Sequence, residues 1–178
     1  MILPVIFIIP GSVWVISCNE SPQPVHGRHD IGMMDDSIIN YNRQMVENEA
    51  LDIEDFISRY HWQMVKTKTG LRYMVYKKGQ GALAAKGDEV EIRFSTMLLN
   101  GDVVERADTG KPFRFRIGTG SVTNGLEEGV LLMKPGDQSR LIVPSHLAFG
   151  LLGDLNKIPN RAVLVYDVEL CQIYSSNK

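Results

Sequence analysis

Val122-Thr123-Asn124-Gly125-Leu126-Glu127-Glu128-Gly129-Val130 is the stretch on which the reading of this chain turns. Residues 124–133 read as a helix, because Glu127 and Glu128 suit the positive end of the helix dipole and Pro135-Gly136 stops the run. Strands lie on both sides of it. Upstream, residues 90–98 alternate apolar and polar side chains and end at the turn Asn100-Gly101-Asp102, and residues 113–117 alternate again. Downstream, residues 138–143 and 162–173 read as strands separated by a long loop, 144–159. Further upstream, Trp62-Gln63-Met64-Val65-Lys66 and Leu71-Arg72-Tyr73-Met74-Val75-Tyr76 flank Thr67-Lys68-Thr69-Gly70 as a hairpin. One short helix across a strongly twisted antiparallel sheet is the α+β arrangement these elements imply. On the last strand Leu164, Tyr166, Val168 and Leu170 share the face expected to meet the core, with Val165, Asp167, Glu169 and Cys171 on the other.

The chain has 178 residues, enough for one domain with appendages, and 44% of them are hydrophobic and 22% charged. Its net charge of -2 is spread without a polybasic stripe, which argues against a nucleic-acid partner. The first eighteen residues carry no charged side chain, and their apolar run is short and broken by Pro10-Gly11, as in an export signal rather than a spanning helix. Val15-Ile16-Ser17-Cys18 looks like a bacterial lipobox, although no Lys or Arg precedes the apolar run. On that reading residues 1–17 are a lipoprotein signal peptide and Cys18 is lipidated; the alternative is an uncleaved anchor, and both put the remainder outside the cytoplasm.

Residues 18–36, rich in Pro, Asn, Gly, His and Asp, read as a flexible tether. Residues 37–61 form a helical extension whose periodicity shifts phase around Asn48, predicting two helices or one with a kink. The domain proper is 62–178. Only Cys18 and Cys171 are present, so no disulfide framework exists, and Cys171 reads as an ordinary strand residue. His26, His29, His61 and His146 are scattered without zinc-ligand spacing, so the expectation is no metal and no cofactor.

Four blocks in order resemble the FKBP family of peptidyl-prolyl cis-trans isomerases. They are Lys111-Pro112-Phe113-Arg114-Phe115 ahead of Ile117-Gly118, the opening stretch, Leu141-Ile142-Val143-Pro144-Ser145-His146-Leu147-Ala148-Phe149-Gly150, and the run from Ile158-Pro159-Asn160-Arg161 to Asp167-Val168-Glu169-Leu170. The resemblance covers about residues 71–173 and implies an FKBP-like fold with a proline-binding pocket. It implies contact with the reacting amide from Phe94, Glu105, Phe149 and the backbone N–H of Thr123. It further implies a pocket wall of Val104, Phe115, Val122, Leu126, Ile158 and Tyr166. Phe94 and Phe149 stand where active members usually carry tyrosines, Val104 where a phenylalanine is common, and Glu105 where an aspartate is common. With Cys18, the resemblance extends to bacterial lipoprotein forms such as those associated with gliding motility. The partners implied are proline-containing polypeptides, a membrane reached through the lipid on Cys18, and a macrolide ligand.

The residues themselves leave alternatives open. Phe94, Phe115 and Tyr166 serve equally as core aromatics, and Glu105 as a surface turn carboxylate. Glu127 and Glu128 point to different sides of a helix and read as dipole compensation, not as an acid/base pair. The helical extension either packs back onto the domain or joins two copies. For the whole chain the expectation is an isomerase assisting the folding of exported proteins in the periplasm, with a non-catalytic chaperone or assembly factor as the alternative.

Overall fold

The computed structural model describes residues 31–107 and 110–175, with side chains from Asp36 onward. The expected signal peptide, the Cys18 lipidation site and the tether up to residue 30 lie outside the described residues. The described residues divide after Ile38 into two units: residues 31–38 begin a helix in the first, and the described residues from Ile39 onward belong to the second, which carries all that follows.

The elements run α1 (Ile31–Arg59), β1 (Val65–Lys66), β2 (Arg72–Lys77), β3 (Glu89–Leu98), β4 (Val103–Ala107), β5 (Phe113–Arg116), α2 (Asn124–Leu131), β6 (Gln138–Val143) and β7 (Leu164–Tyr174). The strands form one antiparallel sheet in the order β1-β2-β6-β7-β3-β4, with β5 also paired to β3. β3 and β7 are its spine: β3 alternates buried and half-exposed residues along its length, the pattern read from the sequence. Val90, Ile92, Phe94, Leu141, Val143, Leu164, Tyr166 and Val168 meet Leu126 and Val130 of α2 in the main core. The α+β class with one short helix on a twisted antiparallel sheet is therefore the observed one.

Two details differ from the sequence reading, and a third takes up one of the alternatives it left open. α1 is a single helix, and it begins at Ile31, inside the stretch read as tether. Met33 and Met34 are good helix formers, and the Pro/Gly/His composition before them masked that. The phase shift near Asn48 does not divide the helix, and Glu49 beside it belongs to the packing face: its carboxylate accepts the Ser145 backbone N–H at 2.9 Å and the Ser145 hydroxyl. The second face of β7 carries a core of its own. Val165 is buried there with Ile142 and Val163 beneath Ile53 and Phe56 of α1, so the extension packs back onto the sheet.

Candidate functional site

Register builds the site. Glu105 on β4 pairs with Thr96 on β3, and Thr96 pairs with Tyr166 on β7. Directly opposed residues share a face of the sheet, so this row runs Glu105-Thr96-Tyr166 along the side that α2 covers. Phe94 lies two residues back along β3, its ring centroid 6.0 Å from that of Tyr166 and 6.0 Å, edge-on, from that of Phe113.

Helix α2 closes the floor. Thr123 is its N-cap residue, and Gly125 and Gly129 let it lie close against β6, where a Cβ at either would come within 2.3 Å of Val143 or Leu141. The loop before α2 is held by Glu127, whose carboxylate accepts the backbone N–H groups of Gly118 and Gly120 at 3.1 and 3.3 Å. Glu128 accepts the Thr69 hydroxyl at 2.7 Å, tying α2 to the β1-β2 turn. Both carboxylates thus hold loops, and neither is placed for acid/base chemistry.

The remaining wall comes from the loop after β6. The Gly150 N–H donates to Ser145 O and the Arg161 N–H to Gly150 O, which closes the loop at its base. At its tip the Asp154 carboxylate accepts the backbone N–H groups of Ile158 and Asn156 at 2.7 and 2.9 Å, and these bonds hold that carboxyl below the ordinary range. This frame presents Phe149.

A cavity of about 210 Å³ results, and Phe94, Glu105, Val122, Thr123, Leu126, Phe149 and Tyr166 all line it. Three other expected site residues do not. Phe115 and Ile158 are buried in the main core and Val104 packs against it. Phe113 and Ser121, absent from the expectation, complete the lining. Only the register of β5 against β3 singles out Phe113. It pairs with Ile92, whereas Phe115 pairs with Val90, one step further along β3 from Phe94. Ser121 carried no such signal.

The walls are largely apolar, and the polar groups are few: the Glu105 carboxylate and the hydroxyls of Ser121, Thr123 and Tyr166. Burial pushes the Tyr166 phenol up; the Thr123 hydroxyl opposes that, the Glu105 charge adds to it, and the Thr96 hydroxyl opposes it further. The phenol is therefore a neutral O–H at ordinary pH. No group of three or more His, Cys, Asp or Glu among the described residues is arranged to hold a metal ion. The Cys171 thiol is pushed up by burial, against the pull of Arg93, and lies off this site. A larger cleft of about 350 Å³ between α1 and the segments 98–100 and 159–163 shares no residue with the cavity.

The family model for FKBP-type peptidyl-prolyl cis-trans isomerase matches residues 81–171, which span β3 to β7 and every residue of the cavity lining. The chain belongs to this family. Among FKBP relatives, it is 43% identical over 88 residues to FK506-binding protein 2 of Dictyostelium discoideum, covering 49% of this chain and 66% of that protein. It is 38% identical over 108 residues to FK506-binding protein 4 of Rhizopus delemar, covering 61% of this chain and 28% of that one. It is 38% identical over 113 residues to peptidyl-prolyl cis-trans isomerase FKBP16-3, chloroplastic, of Arabidopsis thaliana, covering 60% and 50%. The chain thus spans only part of the length of these curated relatives. The crystal structure of FkpA from Escherichia coli matches with a TM-score of 0.63 at 26% identity, over 83% of this chain and 71% of that one.

Proposed function

We propose that this FKBP-type chain is a peptidyl-prolyl cis-trans isomerase that assists the folding of exported polypeptides by taking the Xaa-Pro amide into the cavity between β3, β7 and α2. The observation that carries the reading is the cavity itself: an apolar chamber with few polar groups, built from segments inside the family match. Such a site suits this reaction because rotation needs no nucleophile, metal or cofactor. The planar amide resists rotation by about 18–20 kcal/mol through resonance that polarises its carbonyl. Twisting removes that polarisation, so apolar walls disfavour the planar ground state relative to the twisted one. A thousandfold acceleration asks for only about 4 kcal/mol. A proline ring fits against Phe94, Leu126 and Phe149, and a macrolide FKBP ligand is expected to compete for the same walls.

The site of action in this proposal is the periplasmic side of a bacterial membrane, with Cys18 carrying the lipid, as in gliding-motility-associated lipoproteins of this shape. The lipobox-like Val15-Ile16-Ser17-Cys18 supports it. Among the described residues no helix is long and apolar enough to cross a membrane. Palmitate labelling is expected in the native chain and lost in Cys18→Ala; equal labelling of both would sink the anchor.

A second reading, a holding rather than turning role for apolar segments, is favoured by one observation. Leu151, Leu152 and Leu155 follow Phe149 in the chain and stand 64%, 75% and 88% exposed. A protease-coupled peptide assay and a proline-limited refolding assay, each with and without a macrolide ligand, separate the two. Acceleration blocked by the ligand supports the isomerase. No acceleration of either substrate, with suppressed aggregation of an unfolded protein, supports holding.

A further inference from the structure

The cavity borders a cluster of three buried hydroxyls. Thr96 is buried in the middle of the Glu105-Thr96-Tyr166 row, and its hydroxyl, short of a full hydrogen bond to any group, lies near enough to the Tyr166 phenol to act on it. Thr123 caps α2 without a side-chain cap bond, and its buried hydroxyl acts on the same phenol, again short of a full hydrogen bond. Tyr166 is 3% exposed and lines the cavity. Two buried hydroxyls converging on one phenol that itself lines a cavity call for an explanation. We propose that the Tyr166 hydroxyl is a catalytic donor to the prolyl nitrogen of the twisted amide, with the Thr96 and Thr123 hydroxyls positioning it. The inference rests on the isomerase reading and names a group within that site.

The chemistry selects the nitrogen. In the planar amide its lone pair is delocalised into the carbonyl and accepts nothing; twisting returns the pair to the nitrogen, which then accepts a hydrogen bond. A donor aimed there acts only on the transition state, and such an interaction raises kcat. A donor on the rotating carbonyl would instead stabilise the polarised planar form.

Of the four aromatic residues lining the cavity, Phe94, Phe113 and Phe149 have no O–H, and Tyr166 has one. Burial keeps that phenol protonated, as a donor must be. Its oxygen retains acceptor capacity for the Thr hydroxyls beside it, so Thr O–H to Tyr O to prolyl nitrogen forms a chain in which each bond polarises the next. No proton is transferred, and no covalent bond is made or broken.

The test is NMR exchange spectroscopy on an Ala-Leu-Pro-Phe peptide at several concentrations, with the native chain, Tyr166→Phe, Thr123→Val and Thr123→Ser, alongside urea midpoints. Tyr166→Phe is expected to lower kcat roughly three- to tenfold, the worth of one hydrogen bond, with KM within about twofold and no loss of stability. Thr123→Val is expected to lower kcat by a smaller factor and Thr123→Ser to restore it, which a purely structural threonine would not do. Unchanged kcat in a folded Tyr166→Phe, or a loss in KM alone, overturns the inference while leaving the isomerase intact. An inactive native chain removes the isomerase reading and this inference with it. If Tyr166→Phe does not fold, the Thr123 pair decides: equal kcat in valine and serine forms overturns the relay.

Discussion

Tyr76 shows at the scale of one residue how the outer face of the sheet is held. Its hydroxyl donates to the Asp167 carboxylate at 2.6 Å, and the Arg140 guanidinium sits 5.0 Å from its ring centroid and 4.6 Å from that of Trp62. Partial burial, then the hydrogen bond and charge of Asp167, push the phenol up to about 12. In the unfolded chain it titrates near 10, so between about pH 10 and 12 the folded state binds the extra proton. The stabilisation is therefore complete below pH 10 and is lost as pH rises through the folded value. Urea midpoints at pH 9 and pH 11.5 are expected to fall steeply in the native chain and less in Tyr76→Phe; parallel declines would refute the assignment. Tyrosine in an alternating strand gives no hint of such a partner. Thr96 and Phe113 were illegible for the same reason. Alternation says which face a side chain occupies, but only the register of β3 against β5 and β7 says what it faces there.

At the scale of elements, the legible parts were those with strong periodicity or punctuation: α2 between Thr123 and Pro135, β3, β6, β7 and the β1-β2 hairpin. Strand β4 carries little sequence signal, because Val103-Val104-Glu105-Arg106-Ala107 is an edge strand with exposed residues on both sides of its pleat. The face of β7 was legible only to Leu170. A register shift pairs Glu91 with Gln172 but Ile92 with Leu170, leaving Cys171 as the extra residue and turning Ile173 back to the core. The close seating of α2 was also hidden, since Gly125 and Gly129 read as weak helix residues. An alanine Cβ at Gly125 would meet Val143 Cγ1 at 2.3 Å, Cγ2 at 3.1 Å and Cβ at 3.2 Å, and a buried β-branched valine is stiff at χ1. Gly125→Ala is expected to destabilise by about 1–3 kcal/mol despite gaining up to about 1 kcal/mol in helix propensity, and to lift Leu126 from the cavity floor. At Gly129 the obstacle is the end of the Leu141 side chain, so Gly129→Ala is expected to cost less. Chemical denaturation of the two variants checks the order; the reverse order would mean that α2 pivots about its C-terminal half.

At the scale of the whole molecule, the sheet of the 39–178 unit carries different duties on its two faces. One face, with α2, makes the cavity; the other, with α1, makes a second core of Ile53, Phe56, Ile142, Val163 and Val165. Sequence periodicity located α1 but not its polar anchors, because a glutamate at a packing position looks like a break. These anchors reach the site. Glu49 bonds Ser145, which in turn accepts the Gly150 N–H at the base of the loop that presents Phe149. Apolar packing and polar anchoring on α1 should therefore separate by experiment. Phe56→Ala removes a fully buried ring remote from the cavity and is expected to cost about 3–5 kcal/mol in unfolding free energy, with kcat/KM little changed below the transition. Glu49→Gln keeps size and one acceptor but drops the charge that orders Ser145, so a smaller stability loss of about 1–2 kcal/mol is expected, with kcat/KM reduced several-fold as Phe149 loses its fixed support. Urea denaturation and prolyl-peptide kinetics on the same preparations read both quantities. If Glu49→Gln alters stability but not kcat/KM, the loop holds Phe149 through the Arg161–Gly150 bond and the Asp154 turn alone, and α1 serves only to cover the second face. If Phe56→Ala lowers kcat/KM as well, the two faces are coupled through β7, whose Val165 and Tyr166 are neighbours in the chain and belong to opposite cores.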